Sequence, residues 1–174
     1  SAIGYINQAT GNLSTAIGSY NAASGETSFA AGDGNAANGN ASVAVGNGNA
    51  ASADYSYASG NFNKALNDYS SAIGFYNEAS GVNSSAVGSE NTSSGDWSSA
   101  VGYGNTASAL NSTALGQNST ASAENAVALG NTATAGGTNS IALGSNSTAN
   151  TTNSVALGAG SITSSAHTGS TAQS

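Results

Sequence analysis

The sequence predicts an all-β fold, a parallel β-roll built from stacked copies of one 14-residue unit. Glycine recurs at an unbroken spacing of 14 residues, twelve times from Gly4 to Gly158. Alanine stands two residues before every one of these glycines, and Ile, Val or Leu stands directly before ten of them. A short repeat held in phase along nearly the whole chain is typical of a structure stacked on itself. Fourteen residues suffice for one coil of two short strands and two tight turns, and are too few for a helical pair.

We number the repeat from this glycine, which is position 1, so that the residue before the next glycine is position 14. Position 4 is Asn in the first eight units, position 6 is Ala in ten of the first eleven, and position 11 is Ser in ten of eleven. Side chains alternate between the two faces of a strand, so Ser140, Ala142 and Gly144 share one face while Ile141 and Leu143 share the other. We therefore expect an interior lined by small residues and too thin for larger ones.

The aliphatic column at position 14 then points outward and forms a continuous apolar stripe. A stripe of this kind must be covered, and burying each side chain is worth roughly 1.5–3 kcal/mol, so we expect identical chains to associate through it. Where the column shrinks to Ala31 and Ser59, Phe29 and Tyr57 two residues earlier restore the lost volume. The predicted interface residues are Ile3, Ile17, Phe29, Val45, Tyr57, Ile73, Val87, Val101, Leu115, Leu129, Leu143 and Leu157.

Two further columns predict the turns. Asn at position 4 tolerates left-handed backbone conformations and bonds to its own backbone, which indicates a ladder of turn residues. Glycine at position 8 marks the other turn, in Gly11, Gly25, Gly39, Gly81, Gly95 and Gly137.

Composition excludes several classes of function. The formal net charge is −7 and Lys64 is the only Lys or Arg, so we expect no nucleic-acid partner. The sequence has no apolar run long enough to span a bilayer, so we expect no membrane contact by this stretch itself. Cysteine is absent and His167 is the only histidine, which makes a zinc site or a nucleophilic triad hard to build. Asp54 and Asp68 fall in adjacent coils, but a regular ladder offers no cleft beside them. We therefore predict a protein that is not an enzyme, with no catalytic residues, no cofactor and no metal.

The aromatic residues are candidates for partner binding. All eleven fall between Tyr5 and Tyr103, although the repeat continues unchanged to Gly158, so the scaffold does not require them. Tyr55, Tyr69 and Trp97 share position 10, and rows of exposed aromatic side chains are favoured anchors at protein interfaces. The alternative is that these three side chains shield a turn of a neighbouring chain.

The phased unit resembles the head repeat of trimeric autotransporter adhesins, the YadA-like head. The stretch 153–163, Asn-Ser-Val-Ala-Leu-Gly-Ala-Gly-Ser-Ile-Thr, is similar to a last head repeat running into the neck of that family. The resemblance implies a left-handed parallel β-roll and a homotrimer, carried on a stalk and anchored in the outer membrane of a Gram-negative bacterium. It also implies two regions, with a head β-roll of about twelve repeats over residues 1–158 and the start of a neck or a flexible tail over residues 159–174. Ser1 enters the repeat in mid-unit, so we expect the anchor to lie outside this sequence.

The function implied by this resemblance is adhesion at the cell surface, through attachment to host extracellular matrix or receptor proteins. One alternative is a structural spacer that projects other adhesive domains. Another is an ice-binding solenoid, because position 5 is threonine in five successive units: Thr92, Thr106, Thr120, Thr134 and Thr148.

Overall fold

In the computed structural model, the described residues 1–163 form a parallel β-solenoid of about twelve coils. Its 24 strands, numbered β1 to β24 in chain order, divide into two 12-stranded sheets. Odd-numbered strands form a long-strand sheet and even-numbered strands form a short-strand sheet. Each strand pairs in parallel with the same repeat positions of the next coil, as Ala2 does with Ala16. The predicted 14-residue β-solenoid is confirmed, with one repeat for each coil.

The long-strand sheet contains β1 Ala2–Tyr5, β3 Thr15–Ser19, β5 Phe29–Asp33, β7 Val43–Asn47, β9 Tyr57–Asn61, β11 Ser71–Phe75, β13 Ser85–Ser89, β15 Ser99–Tyr103, β17 Thr113–Gln117, β19 Val127–Asn131, β21 Ile141–Leu143 and β23 Val155–Leu157. The short-strand sheet contains β2 Gln8–Ala9, β4 Ala22–Ala23, β6 Ala36–Ala37, β8 Ala50–Ala51, β10 Lys64–Ala65, β12 Glu78–Ala79, β14 Thr92–Ser93, β16 Thr106–Ala107, β18 Thr120–Ala121, β20 Thr134–Ala135, β22 Thr148–Ala149 and β24 Ile162–Thr163. In most coils a first turn at positions 3 and 4 links the long strand to the short one, and a second turn at positions 8–10 leads to the next coil.

The core is a double column of alanine methyl groups between the two sheets. From Ala16 onward, alanines at position 13 of the long strands and position 6 of the short strands are buried, for example Ala16 and Ala23. Serine at position 11 is also buried, and its hydroxyl typically donates to the position 8 carbonyl, as Ser28 does to Gly25 at 2.7 Å. The prediction of an interior of small residues holds for these columns.

The glycine column is required by the close approach of neighbouring coils. Gly18 has φ +116°, a backbone conformation that other residues rarely adopt. A β-carbon at Gly18 would also lie well inside van der Waals contact with the carbonyl oxygen of Gly32 in the next coil. Any side chain at position 1 would therefore push the coils apart.

The asparagines at position 4 correct two of the sequence predictions. From Asn21 to Asn105 they are buried, so the interior accepts a residue larger than serine at this corner. They are also not the left-handed residues, because the positive φ belongs to position 3, as in Phe62 (φ 55°) before Asn63. The asparagine side chain is buried because its amide bonds to backbone carbonyl groups inside the corner. The Asn63 Nδ2 donates to the carbonyl oxygens of Ser59 at 3.0 Å and Gly74 at 2.7 Å.

This buried amide ladder ends at Asn105, since position 4 is Ser, Ala, Ser and Ser in the last four coils. The glycine φ then moves from 122° at Gly102 to 133° at Gly116 and 150° at Gly130. The last two long strands, β21 and β23, shorten to three residues. The first turn is therefore held differently in the last four coils.

The described part of the chain ends within the roll. Strand β24 pairs with β22 and continues the short-strand sheet to Thr163. The boundary between residues 158 and 159 stays a prediction, and residues 164–174 of the expected neck or tail lie outside the described residues. Residues 1–163 contain no helix that could serve as a membrane span.

We predict that Asn63→Ala lowers the free energy of unfolding by about 3 kcal/mol. The substitution removes the donor to two backbone carbonyls and the Oδ1 acceptor of the Asn77 N–H at 3.0 Å, and each buried group left unpaired costs about 1–3 kcal/mol. Urea denaturation followed by circular dichroism measures the change. Asn61→Ala, at an exposed residue of the same coil, is the matched control and should change stability by less than about 0.5 kcal/mol. Equal effects of the two substitutions would contradict a stabilising amide ladder.

Candidate partner-binding surfaces

The predicted interface stripe lies on the outer face of the long-strand sheet. Strand pairing aligns position 14 from coil to coil, as in Ile3 with Ile17 and Leu115 with Leu129. In the single chain, Ile17 keeps 37% and Leu129 39% of its surface exposed. Position 12 adds to the same face. The stripe residues therefore form one apolar surface, and their role in association stays a prediction.

The two interruptions of the stripe occur where larger residues gather at position 12. Phe29, Val43 and Tyr57 pair in successive coils, directly beside the small Ala31 and Ser59. In the coils of Ala31 and Ser59 the large apolar side chain stands at position 12 and not at position 14, so the apolar face remains continuous. This local packing follows because residues two apart in a strand point to the same face.

The three aromatic candidates lie on the second turn. The rings of Tyr55 and Tyr69 stack in adjacent coils, with centroids 4.9 Å apart and planes within 3°. Trp97 follows two coils beyond Tyr69 along the same edge. Tyr55 is 56% exposed and Trp97 is 62% exposed in the single chain. The rings therefore form a surface row, as the shared position 10 indicated, and their role as a binding site stays a prediction.

The backbone beneath these rings is left-handed. The φ angles are 57° at Tyr55, 57° at Tyr69 and 59° at Trp97. All eleven residues at position 10 share this conformation, and from Thr27 to Asn153 their N–H groups continue the coil-to-coil ladder around the turn, as Tyr55 N–H donates to the Asn40 carbonyl at 2.8 Å. Left-handed backbone is unfavourable for aromatic residues and well tolerated by Asn, which later coils carry at this position.

An aspartate precedes each of the three aromatic residues and caps the turn of the preceding coil. Asp54 Oδ1 accepts from the Asn40 N–H at 2.8 Å, and Asp68 Oδ1 accepts from the Asp54 N–H at 3.1 Å. Asp96 Oδ1 accepts from the Val82 N–H at 2.9 Å. These hydrogen bonds give the carboxylates a structural role at the turn.

A second aromatic group, on the first turn, was missed by the sequence analysis. Phe62 and Tyr76 stack with centroids 5.1 Å apart, and Phe75 meets Tyr76 edge-on at 4.6 Å. Near the start of the chain, Tyr5 and Tyr20 also pack edge-on, at 5.4 Å. These residues occupy positions 2 and 3, where the long strand ends and the first turn begins. The sequence contains these residues, but a comparison of one repeat position at a time does not show that positions 2 and 3 of adjacent coils are in contact.

The remaining chemical groups are spread along the short-strand sheet and the turns. Lys64 lies on the outer face of that sheet, 3.9 Å from Glu78. The threonine column occupies the same face, with Thr106 paired to Thr120 in register. Within residues 1–163 no three His, Cys, Asp or Glu side chains gather as a possible metal site, and no pocket forms. His167 lies outside the described residues.

A family model described as the YadA head domain repeat, with two copies, matches the chain in six consecutive stretches. Each full stretch spans two coils of the solenoid, in agreement with the two copies. The matched residues are 1–21, 23–49, 51–77, 79–105, 107–133 and 135–161. A search of curated proteins finds no match.

We predict that Trp97→Asn raises the free energy of unfolding by up to about 1 kcal/mol, because Asn tolerates the left-handed backbone better than Trp does. Urea denaturation measures the change. Asn111→Ala, at the same position of the next coil, is the reciprocal control. It should lower stability by about 1 kcal/mol, since it also removes the 3.1 Å bond from Asn111 Nδ2 to Asn125 Oδ1. A loss of more than about 1 kcal/mol on Trp97→Asn would show that the indole packs as part of the scaffold.

Proposed function

Since the chain belongs to the YadA head family, we propose that it is the adhesive head of a bacterial surface adhesin, a homotrimer of left-handed rolls that attaches the cell to host matrix or receptor proteins. Membership of the family implies an adhesin-like protein of the bacterial cell surface. The trimer, the Gram-negative outer membrane and the host partner are our proposals. The observation that carries them is the apolar stripe left exposed along one face of the solenoid, together with the aromatic rows on its turns.

The energetics of the stripe support assembly. Side chains such as Ile17 and Leu129 are already more than half covered, so complete burial adds roughly 0.5–1 kcal/mol for each. Over twelve coils this amounts to roughly 6–12 kcal/mol per chain. Association costs roughly 4–15 kcal/mol in lost freedom, so a few coils are not enough and the whole length is needed. The unbroken phase of the repeat supplies that length, a rod of roughly 58 Å at 4.8 Å per coil.

We propose a binding function and not an enzymatic one. The acidic residues that resemble a catalytic pair, Asp54 and Asp68, are engaged at turn tips by backbone N–H groups. Exposed aromatic rings on a rigid ladder suit recognition of a protein surface, because rigid side chains lose little conformational freedom on binding. The family match gives no support to the ice-binding alternative.

A spacer function applies best to the last coils. Beyond Tyr103 the chain has no aromatic residue, while the β-ladder continues to Thr163. We propose that these coils hold the aromatic-bearing coils away from whatever follows them. In that arrangement, adhesion and spacing belong to different parts of one solenoid.

We predict that Leu129→Asp breaks the trimer into monomers or unfolded chains, because three carboxylates would meet in one apolar layer. Light scattering at micromolar concentration measures the assembly. Leu110→Asp is the matched control, since it places the same charge at position 9, where other coils already carry aspartate. Retention of a trimer by both variants, or a stable folded monomer of the unaltered chain, would overturn the proposed assembly.

We predict that the trimer binds at least one immobilised host protein when screened against collagens, fibronectin, laminin and cultured cells. The control is a chain with Tyr55, Tyr69, Phe62, Phe75 and Tyr76 all replaced by Asn, tested after its trimeric state has been verified. This control should bind at least about tenfold more weakly, since aromatic anchors dominate interface energetics. If the unaltered trimer binds none of these surfaces, the spacer function applies to the whole chain.

A further inference from the structure

Three coils carry an aspartate at position 9 that is directly followed by an aromatic residue at position 10. No other coil has Asp at position 9, and no other coil has an aromatic residue at position 10. The two features therefore occur only together. We call these residues the Asp–aromatic edge: Asp54, Tyr55, Asp68, Tyr69, Asp96 and Trp97.

The solenoid does not need the rings of this edge. Coils with Asn at position 10 make the same turn, with φ 55° at Asn111 and at Asn125. Their side chains even add a bond between coils, from Asn111 Nδ2 to Asn125 Oδ1. Tyr and Trp at this position replace a residue suited to the backbone with one that strains it. The rings are therefore explained by what they present to the outside.

The solenoid does not need the charges either. Asn40 Oδ1 caps the Glu26 N–H at 3.1 Å, in the same way that Asp54 Oδ1 caps the Asn40 N–H at 2.8 Å. A neutral amide thus performs the structural task of the aspartate. Asp54 and Asp68 lie one coil apart, and like charges at that distance repel. The second carboxylate oxygens of Asp68 and Asp96 accept no hydrogen bond within residues 1–163.

Within residues 1–163 no side-chain cation neutralises this edge. The sequence contains a single Lys or Arg, Lys64. It lies on the outer face of the short-strand sheet and faces Glu78 at 3.9 Å. The negative charge beside the exposed rings is therefore available to a partner.

We propose that the Asp–aromatic edge binds an extended, basic peptide segment of the partner protein, with Arg or Lys side chains against the rings and the aspartates as counter-ions. This inference rests on the proposed adhesive function and names the chemistry of its partner. A cation over a Tyr or Trp ring is attracted by the ring electrons, most often as Arg, whose planar guanidinium also stacks. The adjacent carboxylate adds a charge-assisted hydrogen bond.

The spacing of the edge suits such a segment. Tyr55 and Trp97 are three coils apart, roughly 14 Å at one strand spacing per coil. Alternate residues of an extended peptide face the same side about 7 Å apart, so residues i and i+4 also lie roughly 14 Å apart. The Tyr55 face turned away from Tyr69 looks toward the coil of Ala41, whose methyl group is too short to cover the ring. The edge thus offers two stacking places separated by the length of a five-residue basic segment.

The test uses the trimeric chain and immobilised synthetic peptides in which Arg and Ser alternate. The control peptide contains citrulline, a neutral isostere of arginine, in place of every Arg. We expect binding to the Arg peptide at least about tenfold tighter than to the citrulline peptide, and its loss in about 1 M NaCl, where charges are screened beyond about 3 Å.

Two sets of variants locate the binding. Replacing Tyr55, Tyr69 and Trp97 by Asn removes the rings and keeps a residue suited to the turn. Replacing the three aspartates by Asn keeps the caps and removes the charge. Each set should weaken Arg-peptide binding by at least about tenfold with the trimer intact. Asn111→Ala with Asn125→Ala and Asn139→Ala, at position 10 of the coils without aromatic residues, should leave binding unchanged.

Several outcomes would overturn the inference. These are equal binding of the Arg and citrulline peptides, unchanged binding by both sets of variants, and binding to neutral oligosaccharides that persists in high salt. Collapse of the trimer on loss of the rings, with Arg-peptide binding kept by the aspartate variants, would show that the rings cover a neighbouring chain. A trimer that binds a host protein but no Arg peptide would leave the adhesive function standing and reject this inference. A trimer that binds the Arg peptide but none of the host proteins would support this inference and reject the proposed attachment to those host proteins.

Discussion

The coil-to-coil spacing of one β-strand is the constraint on which the rest of this structure depends. Every coil lies in register on the one before, so each repeat position meets itself at about 4.8 Å. At the glycine column this leaves no room for a β-carbon, because the next carbonyl oxygen already occupies that place. Between the sheets it leaves room for alanine methyl groups and serine hydroxyls. The strict phase of the sequence is the direct result of this stacking, since an insertion of one residue would misalign every column beyond it.

The turns show how a uniform backbone is kept with a varied sequence. Both turns place one residue in each coil at positive φ, at position 3 and at position 10. In the first eight coils an Asn at position 4, buried from Asn21 onward, supports the first turn, as Asn63 does through Asn49 and Gly74 in the coils on either side. Five of these eight coils carry Ile, Tyr, Phe or Glu at position 3, and the other three carry Gly. In later coils the amide is gone and position 3 is Asn, Thr or Gly, so tolerance of the left-handed backbone replaces the ladder as the support of the turn.

The outer face of the long-strand sheet and the turns differ in the side chains that they expose. The outer face of the long-strand sheet is mainly aliphatic and suits association. Ile, Val and Leu can replace one another in such a packed layer at little cost. The Asp–aromatic edge lies on the second turn, and loops positioned by a rigid scaffold are where recognition commonly resides. All aromatic residues lie in the coils supported by the buried amide ladder, since Tyr103 and Asn105 end the two sets in the same coil. The coils best supported at the first turn are therefore the ones that display the unusual residues.

The sequence by itself determined the 14-residue coil, the small interior columns, the outward aliphatic stripe and the shared edge of Tyr55, Tyr69 and Trp97. It could do so because in a stacked repeat, residues that are 14 apart along the chain are neighbours in adjacent coils. Only the tertiary structure decided where the asparagine amides point and which turn residue is left-handed. Both depend on carbonyl groups of neighbouring coils, such as that of Gly74 for Asn63, which no single repeat contains. For the same reason it alone revealed the cluster of Phe62, Phe75 and Tyr76, since the contact joins two columns and two coils.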